Sequence, residues 1–284
     1  MQLEEKFVAF IDVLGFKNMV EEAESGAGTP LTEIMEHLSK LGTSEDSSKF
    51  QKYGPTTCPQ SETISRGLDF QVTQISDCAI ISSEVSPAGI INLVSHCWGA
   101  VTELLMKGIM CRGYITRGSV FHNGSQVIGS GYQNAYAKES GVTAFKLEAN
   151  ERGTPFVEVD STVCEYIKGS TDDCVRKMFS RMTKTEDGLT ALFPFQRLSH
   201  SFVIGGYGQE EFNPDKEIES NNNVRKLLHT LIERVESFVD PNNERAMSKS
   251  RHYIKAINEQ LSVCDSTDEM INTLCQPFPR ERKY

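Results

Sequence analysis

The sequence predicts an α/β sandwich, an α+β arrangement in which a mainly antiparallel sheet carries helices on one side. Three stretches carry that prediction. Phe7-Val8-Ala9-Phe10-Ile11 is an apolar run bounded by charge, the pattern of a strand buried on both faces. Residues 68–75 and 78–81 are strand-forming runs joined by Ser76-Asp77, which reads as a tight hairpin. Residues 87–107 place Ile90, Ile91, Val94, Cys97, Trp98, Val101, Leu104 and Leu105 at helical spacing, the clearest helix in the chain.

The first strand runs into Asp12, where a carboxylate is costly unless something compensates its charge. Val13-Leu14-Gly15-Phe16 turns the chain and residues 16–24 suit a helix, so Asp12 lies beside a helix N-terminus whose free N–H groups favour phosphate. Taken alone, an Asp between strand and helix is an ordinary cap. Residues 17–41 read as one or two helices interrupted at Gly26-Ala27-Gly28-Thr29-Pro30, with Leu31, Ile34, Leu38 and Leu41 on one face of the second. Residues 42–66 are polar and read as a surface loop. Asp77, in the hairpin turn, is a second acid at the end of apolar strands, and by itself a turn former. His96 and Trp98 fall among packing positions.

Cys111-Arg112-Gly113-Tyr114-Ile115-Thr116-Arg117-Gly118-Ser119-Val120-Phe121 follows as a strand with a glycine-marked bend, then a short strand at 125–128. Gly129-Ser130-Gly131 opens a helical region through Glu148, closed by Gly153-Thr154-Pro155. Its Gly-x-Gly lacks the third glycine and downstream acid of a dinucleotide fingerprint. Phe156-Val157-Glu158-Val159 is a short strand leading into Asp160-Ser161-Thr162, a helix cap. Beyond Tyr166 the signals thin. Residues 192–204 suggest a further strand and 205–223 a loop. Two amphipathic helices follow, one with Val224, Leu227, Leu228, Leu231, Val235 and Phe238 on a face, the other with Ile254, Ile257 and Leu261. The expected organisation is a core over 1–210 and a helical extension over 211–284 packed on it.

A net charge of −10 argues against a general nucleic-acid binder, although a local basic pocket remains compatible with it. The chain opens without the basic start and apolar stretch of a secretory signal, and no window is apolar for long enough to span a bilayer. Cytoplasmic location without a membrane partner is the expectation. Eight scattered cysteines show no pair at zinc-like spacing, and Cys78, Cys97 and Cys111 read as reduced core residues.

Phe10-Ile11-Asp12-Val13-Leu14-Gly15-Phe16 resembles the Phe-x-Asp-Ile-x-Gly-Phe metal motif of the class III nucleotide cyclases, and Ile75-Ser76-Asp77-Cys78-Ala79 resembles their Ile-Gly-Asp-Ala hairpin. Arg112-Gly113-Tyr114-Ile115-Thr116-Arg117-Gly118 looks like the strand after the long helix in that family. Ala144-Phe145-Lys146-Leu147-Glu148 and Phe156-Val157-Glu158-Val159 look like its Ala-x-Arg-Leu-Glu helix and next strand. The likeness covers roughly residues 5–168 and implies a βααββαβ cyclase-like core. Thr73 stands where adenylate cyclases carry a purine-selecting Lys, and Val127 or Ile128 stands near the place of their base-reading Asp. That combination is most similar to the pyrimidine cyclases of the bacterial Pycsar antiphage systems.

The resemblance implies that Asp12 and Asp77 bind two divalent cations, Mg2+ or Mn2+, with the Val13 carbonyl as a further ligand. Backbone N–H groups of Leu14, Gly15 and Phe16 would cradle phosphate, with Thr73 and Arg117 also on the substrate. The transition-state cation would come from Arg112, Arg117, Lys138 or Lys146. One register pairs Asn134 with Lys138 at i, i+4, imitating the family's Asn and Arg couple; the other matches Lys146 through Ala144 and Leu147-Glu148. Both stay open. The implied reaction converts UTP to cyclic UMP and pyrophosphate, or CTP to cyclic CMP, in a head-to-tail homodimer with sites at the interface. A nucleotide-binding module without turnover is the rival. A diguanylate-cyclase or polymerase-palm relation is a third reading, against which stands the lack of a Gly-Gly-Asp-Glu-Phe hairpin.

Overall fold

A computed structural model of the chain describes residues 2–43, 67–195 and 213–274. These residues form a mixed α/β fold around one mainly antiparallel sheet. Its strands are β1 (Glu4–Val13), β2 (Phe70–Ile75), β3 (Cys78–Glu84), β4 (Cys111–Asn123), β5 (Gln126–Ile128), β6 (Val157–Val159), β7 (Thr183–Glu186) and β8 (Leu189–Leu192). They run in the order β2-β3-β1-β4-β6-β8-β7, with β5 paired to β4 off this path. Every pairing is antiparallel except β4 with β6.

The helices are α1 (Phe16–Glu24), α2 (Leu31–Leu38), α3 (Pro87–Leu105), α4 (Ser130–Glu139), α5 (Ser161–Lys168), α6 (Asp173–Met182), α7 (Pro214–Phe238) and α8 (Glu244–Leu274). α3 opens as its sequence dictates: the Ser86 hydroxyl accepts from the Gly89 N–H at 2.9 Å and Pro87 occupies the first turn.

β1 sits between β3 and β4, and its apolar run is buried on both sides. Phe7, Ala9, Ile11 and Val13 face the larger core, built with α1, α2, α3, α5 and α6. Val8 and Phe10 face the opposite way, against Ile80, Val120 and Ala135 of α4. Helices therefore cover both faces of the sheet, which corrects the one-sided sandwich expected. A strand with five apolar residues in succession leaves one row facing water if only one face is covered. α4 reaches the second face through paired glycines: a Cβ on Gly118 of β4 would meet Gly131 Cα at 2.8 Å.

Three further expectations change. The helical region opened at Gly129 ends at Glu139, and residues 144–148 are turn rather than helix, with Phe145 at φ +54°. Residues expected as loop over 205–223 are helical from Pro214 onward. The chain beyond Tyr166 holds α6 and the β7–β8 hairpin, turned through Asp187 and Gly188 at φ +52° and +80°. The strand expected over 192–204 and the boundary expected at 210 lie largely outside the described residues, as do Cys58 and Cys275. The six described cysteines are free thiols, with Cys97 and Cys111 fully buried.

α7 and α8 pack against the sheet end that carries Tyr114, Phe156 and Phe193, contributing Leu228, Leu231, Val235, Tyr253 and Ile257 to one shared apolar cluster. Tyr253 is the anchor. Its ring lies 5.3 Å from Phe156 and 5.2 Å from Phe195, and its hydroxyl donates to the Pro155 carbonyl and reaches the Cys111 carbonyl at 3.4 Å. Replacing Tyr253 with Ala should cost about 3–5 kcal/mol in equilibrium denaturation, the range for a large buried aromatic. A loss below about 0.5 kcal/mol, the usual range for surface positions, would show that the helices are not held through this residue.

Candidate functional site

Sheet register brings the two acids together. Asp12 lies opposite Cys78 on one side and Arg112 on the other. Asp77 precedes Cys78 in a turn that requires Ser76 at φ +54°. The Val13 N–H donates to the Asp77 carbonyl at 3.0 Å, drawing the hairpin turn against the end of β1. Both acids are half-buried. Neither carboxylate takes a hydrogen bond or ion pair from another side chain or backbone N–H among the described residues.

That leaves the charge of Asp12 only partly compensated. Burial, then the nearby carboxylates of Glu139 and Asp77, push its pKa from 3.8 up to about 7, against the opposing pull of Arg112. Arg112 is itself engaged by Glu139, the last residue of α4. Among the described residues no group of three or more His, Cys, Asp or Glu side chains is placed to hold a metal ion. A cation here would rest on Asp12 and Asp77, with backbone and ligand oxygens completing its shell. Two hard oxygen donors that repel one another suit Mg2+ or Mn2+, which bind through one or two carboxylates plus substrate phosphates.

The helix start next to the acids is intact but narrower than expected. Gly15 caps α1 at φ +81°, a conformation that favours glycine, and among the described residues no side chain caps this end. The Leu14 N–H is spent on the Met110 carbonyl at 2.8 Å, so Leu14 drops out as a phosphate donor and Gly15 and Phe16 remain.

The other expected residues separate. Asn134 and Lys138 do share an exposed face of α4. Asn134 Nδ2 lies 3.4 Å from Thr116 Oγ1, while Lys138 Nζ pairs with Asp160 at 2.8 Å and stands 4.9 Å above the Tyr114 ring. Lys146 sits in an exposed turn, its ammonium on the Ala149 carbonyl at 3.3 Å, so the helix-based register through Lys146 fails. Arg117 is on the opposite face of the sheet from Asp12, 5.9 Å over the Tyr166 ring and paired with Glu5 at 2.8 Å. Its odd separation from Arg112 on one strand dictates that placement. Thr73 is buried and donates to the Gly124 carbonyl. It also lies 2.8 Å from His122 Nε2, so its hydroxyl is used inside the protein, and a base-selecting role is corrected to a packing one.

Residues missed at the sequence level complete the surroundings. Tyr132 and Tyr136, one helical turn apart on α4, pack with Phe10; the Phe10 and Tyr136 ring centroids are 5.2 Å apart, and Tyr136 is exposed. Their spacing was a visible signal. Glu139 had none beyond its charge, and Asp160, legible as a helix cap, carried no signal of its bond to Lys138. Asp160 accepts from Lys138, Tyr114 Oη and the Thr162 N–H; burial works against its charge, but these bonds, Lys138 foremost, hold its pKa well below the carboxylate range.

Comparison with known proteins identifies no family: no protein-family model and no curated protein matches the chain.

Two consequences are measurable. Asp12 has a folded pKa above its unfolded value, so its contribution to stability is present below about pH 4 and is lost as pH rises towards 7. In EDTA, the Tm advantage of Asp12→Asn over wild type should therefore be larger at pH 8 than at pH 5; an equal difference at both would contradict the burial and repulsion described. Asp160 has the opposite sign, contributing stability above its unfolded pKa that fades as pH falls. Lys138→Met should cost about 1–2 kcal/mol at neutral pH, allowing for the lysine's exposure, with the gap shrinking below about pH 4 in denaturant titrations.

Proposed function

We propose that the chain is a divalent-metal-dependent nucleotide cyclase, in the manner of the class III enzymes its motifs resemble, acting on a pyrimidine nucleoside triphosphate. UTP, giving 3′,5′-cyclic UMP and pyrophosphate, is the first choice of substrate and CTP the second. A second-messenger role in antiphage defence is the biological setting this reading implies. The observation that carries the reading is the convergence of Asp12 and Asp77 at the ends of neighbouring strands, both without a donor among the described residues, beside a glycine-capped helix start.

In this reading Asp12 and Asp77 hold two cations, with the Val13 carbonyl as a third oxygen. Held by these residues, such ions would supply the charge that lowers the pKa of a ribose hydroxyl and neutralises a triphosphate. The Gly15 and Phe16 N–H groups, at the positive end of α1, receive phosphate oxygens. Tyr136 offers an exposed ring against which a base stacks. Arg112 orients Glu139 and tempers the negative charge around Asp12. Asn134 and Lys138, exposed on α4, are the groups a partner copy would present across a head-to-tail interface.

A specific observation favours a second reading, a nucleotide-binding module without turnover. Arg112, Arg117 and Lys138 each already face an internal carboxylate, which diminishes their charge for a transition state. Incubation with each of the four nucleoside triphosphates and Mn2+ or Mg2+, followed by mass detection of cyclic monophosphate, separates the two. The cyclase reading expects cyclic UMP or cyclic CMP, and at least about a hundredfold loss in Asp12→Asn and Asp77→Asn with the fold retained. Nucleotide binding without product from any triphosphate would establish the module instead.

A further inference from the structure

Beside Arg112 the core and α8 line an open cavity of about 460 Å3. That is room for a small ligand, the usual range being roughly 300–1,000 Å3. Its wall carries four cationic side chains. Arg112 comes from β4, Arg152 from the loop before β6, and Arg245 and Lys249 from the first turns of α8. Arg245, Ser248 and Lys249 are spaced i, i+3, i+4 and so share one face of the helix. Ser140 and Ser248 add hydroxyls. One carboxylate, Glu244, is also on the wall.

This concentration of positive charge runs against a chain of net charge −10 and is poorly neutralised. Arg152 and Arg245 enter no ion pair or side-chain hydrogen bond among the described residues. Lys249 Nζ is 3.7 Å from Glu151 Oε1, but that oxygen is held at 2.7 Å by His252 Nε2, and Oε2 accepts from the Leu147 N–H. Burial, with repulsion from Arg112 and Arg245, lowers the Lys249 pKa despite Glu151. The backbone is shaped for close approach as well. Gly153 lies at φ +68°, and a Cβ there would stand 2.9 Å from Arg112 Nη1. The positive φ favours glycine at this position, and its missing side chain leaves the guanidinium room beside the Arg152 loop.

We propose that this cavity is an anion site for a phosphate-bearing small molecule, with a diphosphate group as the unit it recognises. Two arginine forks and an ammonium around one cavity match several phosphate oxygens, whereas a single carboxylate or chloride leaves most of the charge unpaired. The positive end of α8 adds to the field. The assignment rests on no part of the cyclase reading, since it uses neither Asp12 nor Asp77 and requires no metal.

Titration calorimetry of the full chain in EDTA with sodium pyrophosphate tests it, with inorganic phosphate, sulfate and uridine diphosphate as comparison ligands. Pyrophosphate should bind more tightly than phosphate or sulfate. Affinity should fall at least about tenfold in the Arg152→Ala/Arg245→Ala double variant, stay mostly intact in Arg245→Lys, and be unchanged in Asp77→Asn. Uridine diphosphate binding at least as well as pyrophosphate extends the site to nucleotides. Without ligand the double variant should be no less stable than wild type, because it relieves repulsion, and its Tm should no longer rise on adding pyrophosphate. Absence of pyrophosphate binding at millimolar concentration overturns the proposal, as does affinity unchanged in the double variant. Binding that disappears in Asp77→Asn would place the anion at the acid pair instead. Failure of the triphosphate panel to yield product leaves each of these outcomes readable.

Discussion

The pairing of β1 with β3 on one side and β4 on the other governs most of what surrounds the acids. A strand hydrogen-bonded on both edges and covered on both faces has no freedom to slide, because a one-residue slip would exchange the Phe7 and Phe10 rows between cores. Asp12 is held at the end of that strand. The same register sets Cys78 and Arg112 at its flanks, and the Val13 to Asp77 bond brings the second acid alongside. The rigidity of the core is what allows two carboxylates to remain close despite their repulsion.

Charge around that point is arranged in alternation. Asp12 and Asp77 have no donor among the described residues, Glu139 is held on Arg112, and Arg112 shares a cavity wall with Arg152, Arg245 and Lys249. Lys138 and Asp160 form a separate, satisfied pair that ties α4 to the start of α5. Arg112 is thus the boundary between an acidic region and a basic one, and its guanidinium is partly buried. Placing the arginine there favours the acidic side, where it opposes the rise in the Asp12 pKa and is neutralised by Glu139, while on the basic side it repels Lys249.

Much of this was legible in the sequence because strand and helix periods are local properties. The β1 run, the Ser76-Asp77 hairpin, α3 and the Asp160 cap all follow from a few adjacent residues. Some of the differences from expectation also have local causes. An apolar run with both faces buried already excludes a one-sided sheet. Gly141, immediately after Ser140, is a helix stop that should have ended α4 before Lys146. Asp187-Gly188 is a strong hairpin signal, and it turns β7 into β8. Other features were not local. That Arg112 meets Glu139, or that Arg245 and Lys249 lie near Arg152, depends on packing between segments far apart in the chain, to which no short-range pattern is sensitive.

The Tyr253 anchor has a consequence for the order in which the molecule can be completed. The apolar surface formed by Tyr114, Phe156 and Phe193 receives its cover from α7 and α8. During synthesis every strand of the sheet emerges well before residues 244–274, so the nascent sheet carries a bare apolar flank until α8 leaves the ribosome. Such a flank is open to wrong partners for as long as it stays uncovered. It also means that the basic cavity, half of whose cations lie on α8, takes shape only at that last step, after the carboxylate pair has already been set in place.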